Sequence, residues 1–328
     1  MKIVVAGAGS IGCFVGGALV QAGHKVAFLA RPRIADAVAS NGLTLTDFAG
    51  LNTTLRDLDF QTDPSVLADA DVVLVTVKSA ATESMAQLIA QHAPKAAVFS
   101  LQNGVTNVAA LRKHLPRQKV FATMVPFNVV PAGEAAFHRG TSGDILVQSG
   151  SDHALSSAHL VWQSVDNIEA VQWGKLLINL GNAINALSDL PLLDMLHMRA
   201  WRRLMADQMA EALRVLKAQG ITPAKTTAAP VKLLPHILRL PSPLFKKIAA
   251  QMLTIDPKAR SSMWDDLTQR RKTEIDALQG LIVEMGQRAG IATPINAALQ
   301  VLIKDAEAEG AGPPGLLAQS IRARIASP

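Results

Sequence analysis

The chain opens Met1-Lys2-Ile3-Val4-Val5-Ala6-Gly7-Ala8-Gly9-Ser10-Ile11-Gly12, an apolar run that breaks into G-x-G-x-x-G and then into a helical pattern. Ile3 to Ala6 reads as a fully buried strand, and Ile11 to Ala22 as a helix stopped by Gly23, which suits a left-handed C-cap. In such a strand-turn-helix unit Gly7 permits the tight turn, Gly9 lets a pyrophosphate approach the main chain, and Gly12 lets helix pack closely on strand. The phosphates then rest on the helix N-terminus, within the loop Gly7, Ala8, Gly9, Ser10, Ile11 and Gly12. The same stretch, a lysine followed by an uncharged run, also has the outline of a signal peptide or anchor. Glycines at 7, 9, 12, 16, 17 and 23 argue against a helix that crosses a bilayer.

Beyond this unit, strand and helix patterns alternate. Lys25–Leu29, Asp71–Val77, Ala96–Leu101 and Val120–Val125 read as strands, with helical stretches such as Ala80–Gln91 and Val105–His114 between them. That alternation implies a parallel sheet covered on both faces. Phe127 to Val147 carries Pro131, Gly133, Gly140 and Gly143 among extended apolar pieces, so antiparallel strands are expected to close the domain there. After about Val171 the pattern is helical only. The fold class is therefore α/β, an N-terminal Rossmann-type parallel sheet domain over 1–168 and an all-helical C-terminal domain over 169–328.

The single cysteine, Cys13, excludes an internal disulfide and a cysteine-based zinc site and fits a reducing cytoplasm. No metal is expected. The net charge of +6 is modest. Arg199, Arg202, Arg203, Lys232, Arg239, Lys246 and Lys247 read as a solvated helical face rather than a nucleic-acid or lipid surface, and aromatic residues at 4% leave little for base stacking.

At the end of the second strand, where an NAD enzyme usually has an acid for the ribose hydroxyls, stand Arg31-Pro32-Arg33. A guanidinium at 31 can hold a 2′-phosphate through forked, charge-assisted hydrogen bonds, which points to NADP. In the second half, Trp173-Gly174-Lys175-Leu176-Leu177-Ile178-Asn179-Leu180-Gly181-Asn182 puts Lys175, Asn179 and Asn182 on one helical face and Leu176, Leu177, Leu180, Ile184 and Leu187 on the other. Asparagine is a poor helix former, so a stripe of it suits binding better than mere solvation. Ser262 with Asp265 has the form of a helix N-cap and acidic first turn. Glu274 falls in line with Leu278, Leu281, Ile282 and Met285, an inward stripe on which a carboxylate needs a partner; Arg270 and Arg271 are the structural alternatives.

Together these residues resemble the ketopantoate reductase (2-dehydropantoate 2-reductase) family. The similarity runs over nearly the whole chain: GAGSIG, Arg31, Val77-Lys78, Gln102-Asn103-Gly104, Lys175-Leu-Leu-Ile-Asn179, and Ser261-Ser262-Met263 followed by Thr273-Glu274-Ile275-Asp276. The resemblance implies NADPH, with Gly7 to Gly12, Arg31, Lys78, Asn103 and Glu274 toward the cofactor, and reduction of 2-dehydropantoate to pantoate. It implies Lys175 as proton donor, Glu274 beside substrate and nicotinamide ribose, and Asn103, Asn179, Asn182 and Ser262 as substrate binders. The expected partner is a small 2-oxo acid, with neither nucleic acid nor membrane, and a homodimer is the assembly to test. The family usually has a second asparagine at a position that is Ala183 here, leaving Asn182 and Asn185 as candidates, and a Pro-rich insert, Pro230 to Pro243, precedes the Ser262 motif.

The chemistry agrees. Hydride arriving at a ketone carbon leaves charge on oxygen that a positioned cation stabilises and then protonates, and Lys175 can do both. With no tyrosine anywhere, a Tyr-Lys acid is excluded. A reductase of another 2-oxo acid or an imine, or a non-catalytic NADP-binding regulator, remains open.

Overall fold

Lys2–Ala6 forms β1, buried from Ile3 onward as the centre of a two-sided sheet requires. It runs into α1 (Ser10–Gln21). There Gly23, at φ +86°, and His24 donate to the carbonyls of Val20 and Leu19, the paired bonds that close a helix through a left-handed residue. The chain, a computed structural model, is described over residues 1–151, 153, 155–226, 229–253 and 256–326.

The first unit, Met1–Glu169, continues with β2 (Lys25–Leu29), α2 (Pro32–Asn41), β3 (Leu43–Asp47), β4 (Asn52–Leu55), β5 (Asp59–Gln61), β6 (Val72–Val75), α3 (Thr82–His92), β7 (Ala97–Ser100), α4 (Asn107–His114), β8 (Val120–Met124), β9 (Val129–Pro131), β10 (Ala136–Arg139), β11 (Ile145–Gln148) and β12 (Trp162–Val165). Its main sheet has the order β12-β11-β8-β7-β6-β1-β2-β5. From β5 to β8 all neighbours are parallel, with Val4 of β1 opposite Ala27 of β2 and Val73 of β6. The direction of build-up reverses between β1 and β6, and ligands of open α/β sheets bind outside the strand ends at such a point.

Beyond Phe127 the expected antiparallel closure is only partly realised. β11 runs antiparallel to β8 and carries β12 parallel to itself. β9 and β10 instead leave the main sheet and form a second one, ordered β4-β3-β10-β9. The reason lies in the unanticipated hairpin β3–β4, where Leu43, Leu45 and Asp47 face inward and the threonines between them are only half-covered. Asp47 is buried because Arg139 of β10 meets it at 2.7 Å, and that guanidinium lies 5.5, 5.2 and 5.4 Å from the ring centres of Phe14, Phe48 and Phe127.

The second unit, Ala170–Pro328, holds all but the first two residues of α5 (Ile168–Asn179), then α6 (Gly181–Ser188), α7 (Leu192–His197), α8 (Arg199–Ala218), α9 (Leu234–Arg239), α10 (Ser242–Ile248), α11 (Ser262–Thr268), α12 (Leu281–Arg288), α13 (Pro294–Glu309) and α14 (Ala318–Ala326). All regular elements among its described residues are helical. None is long and apolar enough to cross a membrane.

The basic cluster is not uniformly a solvated face. Arg203, Lys232, Lys246 and Lys247 are exposed, but Arg202 is fully buried. It donates to the carbonyls of Leu196, His197, Leu238 and Leu240 and to Ser242 Oγ, and stacks 4.2 Å from the Phe245 ring centre. Most of these acceptors are carbonyls at the ends of α7 and α9, where the helix dipoles favour a cation. The insert Pro230–Pro243 supplies α9 and the start of α10, and Arg202 is the clasp that fastens it to α8.

Candidate active site

In the first unit the site is built at the carboxyl ends of β1, β2, β6 and β7. A Cβ on Gly7 (φ +101°) would stand 2.4 Å from Val77 Cγ1 and 3.0 Å from Val77 N, so the loops after β1 and β6 touch there and only glycine fits. A Cβ on Gly12 would meet Thr76 Oγ1 at 2.6 Å, as expected for close packing of α1 on the sheet. Gly9 differs, since a Cβ there would find only Gly7 O, at 4.0 Å. The loop is thus held on one side and open on the other, above the first turn of α1, whose N-cap is Gly9 itself. That geometry fits a pyrophosphate.

The N–H groups of Gly7 and Ala8 donate to Leu29 O at 3.1 and 2.9 Å, strapping the loop to the end of β2. Two residues on, Arg31 is exposed and caps α2, with no acid at the strand end. Lys78 is exposed just after β6, and half-buried Asn103 follows β7. The Asn103 loop rests on a polar network that motif reading missed. Gln102 Nε2 donates to Val77 O (3.0 Å) and Thr82 Oγ1 (2.7 Å), Thr82 donates to Asn107 Oδ1 (2.8 Å), and Asn107 Nδ2 donates to Asn103 O (2.6 Å). Its only sequence signal is Gln102 beside Asn103.

In the second unit α5 and α6 carry Lys175, Asn179 and Asn182, all half-buried, while Leu176, Leu177, Leu180, Ile184 and Leu187 are buried as their spacing requires. The expected single helix is interrupted at Leu180. Burial pushes the Lys175 ammonium down to about 8, against an opposing pull from the Glu274 carboxylate. Lys175 of α5 therefore interacts with a carboxylate that lies far along the chain.

Ser262 is the first helical residue of α11; the N-cap is Ser261, whose Oγ accepts from Trp264 N (3.2 Å). Ser261 also ties α11 to α6, its Oγ donating to Asn182 O (3.1 Å) and its N–H to Asn185 Oδ1 (2.8 Å). Asn185 is fully buried, and its Nδ2 donates to Leu190 O at 2.8 Å. Both ends of its amide are engaged, so Asn185 braces the Ser262 loop. Asn182 keeps a half-exposed side chain, and Ala183 is buried.

Glu274 precedes its helix rather than lying along it. The helix begins at Ile275 and passes through a π turn, Asp276–Gly280, into α12, with Ile275, Leu278, Gln279, Ile282 and Gly286 as the inward stripe. The extra residue of the π turn shifts the register that a 3.6-residue period predicts. Of the arginines proposed as partners, Arg271 pairs with Asp266 at 3.2 Å. The segment before Glu274 is clamped by Glu307 of α13, which accepts from Thr273 N (2.8 Å), Thr273 Oγ1 (2.6 Å) and Lys272 Nζ (3.1 Å). Among the described residues no group of His, Cys, Asp and Glu is placed to hold a metal.

Residues 3–152 match the family described as ketopantoate reductase PanE/ApbA, and residues 167–307 match ketopantoate reductase PanE/ApbA C terminal. The 2-dehydropantoate 2-reductase of Halobacterium salinarum is 27% identical over 328 residues, 94% of this chain and all of that one. That of Pyrobaculum aerophilum is 30% identical over 247 residues, covering 73% of this chain and 78% of the relative. A solved PanE/ApbA family ketopantoate reductase from Ralstonia eutropha superposes with a TM-score of 0.81 at 31% identity, over 94% of this chain and 99% of that one. D-mandelate dehydrogenase, solved with NADH and anilino(oxo)acetate, shares the fold at a TM-score of 0.78 and 22% identity, again over 94% and 99%. The chain belongs to the ketopantoate reductase PanE/ApbA family of oxidoreductases.

Proposed function

We propose that this protein reduces a 2-oxo acid with NADPH, and that the acid is 2-dehydropantoate, giving pantoate. The observation that carries the reading is Lys175: a lysine whose burial brings its pKa to about 8, facing a carboxylate, on a helix face with two half-buried asparagines. Such a group can hold a proton at neutral pH and give it up readily.

The reduced nicotinamide, when bound, supplies the hydride. Gly7, Ala8, Gly9, Ser10, Ile11 and Gly12 receive the pyrophosphate, Arg31 the 2′-phosphate, and Lys78 adds positive charge at the end of β6. Lys175 Nζ hydrogen-bonds the ketone oxygen, stabilises the negative charge that grows there, and transfers its proton to it. Asn103, Asn179, Asn182 and Ser262 orient the carboxylate and hydroxyl of the substrate, and Glu274 accepts from that hydroxyl and from the nicotinamide ribose. Because Lys175 must start protonated, reduction falls as pH rises through about 8, and oxidation of the hydroxy acid gains over the same interval.

A second reading, reduction of a different 2-oxo acid, has its own support. Ala183 stands where the family usually has asparagine and Asn185 is consumed in bracing, so Asn182 is left alone on that turn. A panel that sets 2-dehydropantoate against the 2-oxo acid of mandelate, with NADPH and NADH oxidation as readout, separates the two. A higher kcat/KM for the aromatic acid overturns the first reading. Glu274→Ala, compared on 2-dehydropantoate and on an analogue lacking its hydroxyl, gives a coupling energy, and a value near zero removes the assigned hydrogen bond.

A further inference from the structure

At the interruption of the lysine helix, the Leu180 carbonyl meets two side chains that no part of the proposed chemistry uses. Leu180 O accepts from Gln279 Nε2 at 2.8 Å and from Gln208 Nε2 at 3.1 Å. All three residues are nearly or wholly inaccessible, at 1%, 0% and 1% for Leu180, Gln279 and Gln208. Two amides converging on one main-chain oxygen in an apolar interior is a costly arrangement unless each bond is made.

Each glutamine is placed by the element that carries it. Gln279 lies in the π turn that follows Glu274, and the added residue of that turn is what brings it round to face Leu180. Gln208 lies in α8, where its own carbonyl accepts from Asn296 Nδ2 at 3.3 Å. Buried Glu211, one turn on, accepts from Ile295 N (3.0 Å), Asn296 N (3.1 Å) and Asn296 Nδ2 (2.9 Å), which pins α8 to the first turn of α13. Leu180 keeps helical angles, φ −55° and ψ −32°, and side chains that bond into a helix ladder fix its local course, so the junction with Lys175 and Asn179 before it and Asn182 after it is tied at its centre. The same bond joins the break to the helix that begins beside Glu274.

We propose that Gln279 and Gln208 are positioning residues for the reduction: by holding the Leu180 carbonyl they set Lys175 and Asn179 relative to Asn182 and to Glu274. The inference rests on reading Lys175 as the proton donor. It explains why two glutamines are spent on one carbonyl in a core that would be simpler with leucines.

The test uses Gln279→Met and Gln208→Met, which keep length and burial but remove the donor, and the double variant. For each, kcat and KM for 2-dehydropantoate are measured from neutral to alkaline pH, with NADPH affinity by fluorescence titration and the melting temperature alongside. Gln279→Met is expected to lose roughly ten- to a hundredfold in kcat, the scale for a misplaced catalytic group, with a displaced alkaline limb and unchanged NADPH affinity. Gln208→Met leaves the shorter bond and loses less, and the double variant falls short of the sum of the two losses in free energy. A folded Gln279→Met with a lower melting temperature but wild-type kcat and alkaline limb overturns the proposal. If the wild type reduces no 2-oxo acid, the functional reading fails instead. The positioning claim is then decided by modifying lysines on the intact proteins with a small amine reagent and following Lys175 by mass spectrometry against pH. A displaced midpoint in Gln279→Met supports it, and coincident midpoints overturn it.

Discussion

The candidate residues of the first unit centre on a main-chain loop, and those of the second are side chains on separate helices. In the glycine loop what matters is space: positions 7 and 12 have no room for a Cβ, while position 9 opens outward. In the helical unit what matters is the surroundings: Lys175 takes its character from burial and Glu274, and Ser262 takes its place from Ser261 and Asn185. A site made of main chain is contiguous in sequence, so spacing reports it. A site made of side chains on separate helices is assembled by packing, so the sequence names its members without arranging them.

The sharpest break of this comparison is at Lys175. Lys175→Met should lose two to four orders of magnitude in turnover, the usual range for a positioned general acid. It should also be more stable than the wild type. Burial, partly offset by Glu274, takes the folded pKa from 10.5 to about 8, so at neutral pH the ammonium carries a net penalty of about 3 kcal/mol in the folded state that methionine does not. Linkage sets the sign. Between about 8 and 10.5 the unfolded chain binds more protons, so wild-type stability rises with pH there, and Lys175→Met should lack that rise. Thermal denaturation across that interval checks both, and a variant that melts lower than wild type at neutral pH would remove the buried-cation account.

The next contrast lies within the glycine loop. Gly7→Ala must accept a left-handed φ, worth about 1–2 kcal/mol, and a contact of 2.4 Å with Val77 Cγ1, so it should lower stability and cofactor affinity together. Gly9→Ala meets nothing closer than 4.0 Å and should melt like wild type while binding NADPH more weakly. Equal melting temperatures for the two variants would show that the loop is not held as described.

Arg31→Ala tests one of the side chains that the first unit adds to its main-chain loop. Losing charge-assisted bonds to a 2′-phosphate costs about 1.5–3 kcal/mol of NADPH affinity and leaves NADH nearly unchanged. Wild-type affinities that are equal for NADPH and NADH would reject the assignment.

These contrasts also show why legibility differed along the chain. β1, α1 and their Gly23 stop were readable because Ile3–Ala6 and the glycines carry their signal locally. The β3–β4 hairpin was not, since Thr44, Thr46, Thr53 and Thr54 mask its alternation and Asp47 is buried only because Arg139 arrives from β10. Arg202 looked like one more surface cation because the carbonyls that receive it come from Leu196, His197, Leu238 and Leu240, remote in sequence or hidden at helix ends. Lys175, Asn179, Asn182 and Glu274 stand out in the sequence as polar residues in unusual settings, but Gln208 and Gln279, which meet the Leu180 carbonyl, look ordinary there, and the π turn has no local signal.

The smallest expected effect separates two asparagines three residues apart. Asn185 engages both ends of its amide, taking the Ser261 N–H and giving to Leu190 O, with no exposure to solvent. Asn185→Ala would leave a buried donor and a carbonyl unmatched, a loss of about 1–3 kcal/mol in stability, and would loosen the start of α11. Its effect on kinetics should come through Ser262, as a higher KM that a lower assay temperature partly restores. Asn182 holds α11 only through its main-chain carbonyl, which alanine retains, and its side chain is half-exposed. Asn182→Ala should therefore melt within a degree or two of wild type, since alanine is also the better helix former. If Asn182 orients the substrate, the loss falls on kcat/KM for 2-dehydropantoate and shrinks for a smaller 2-oxo acid that has nothing for the amide to hold. An Asn182→Ala enzyme that treats both acids as the wild type does would leave the substrate to Asn103, Asn179 and Ser262, and would move the second reading of the function ahead of the first.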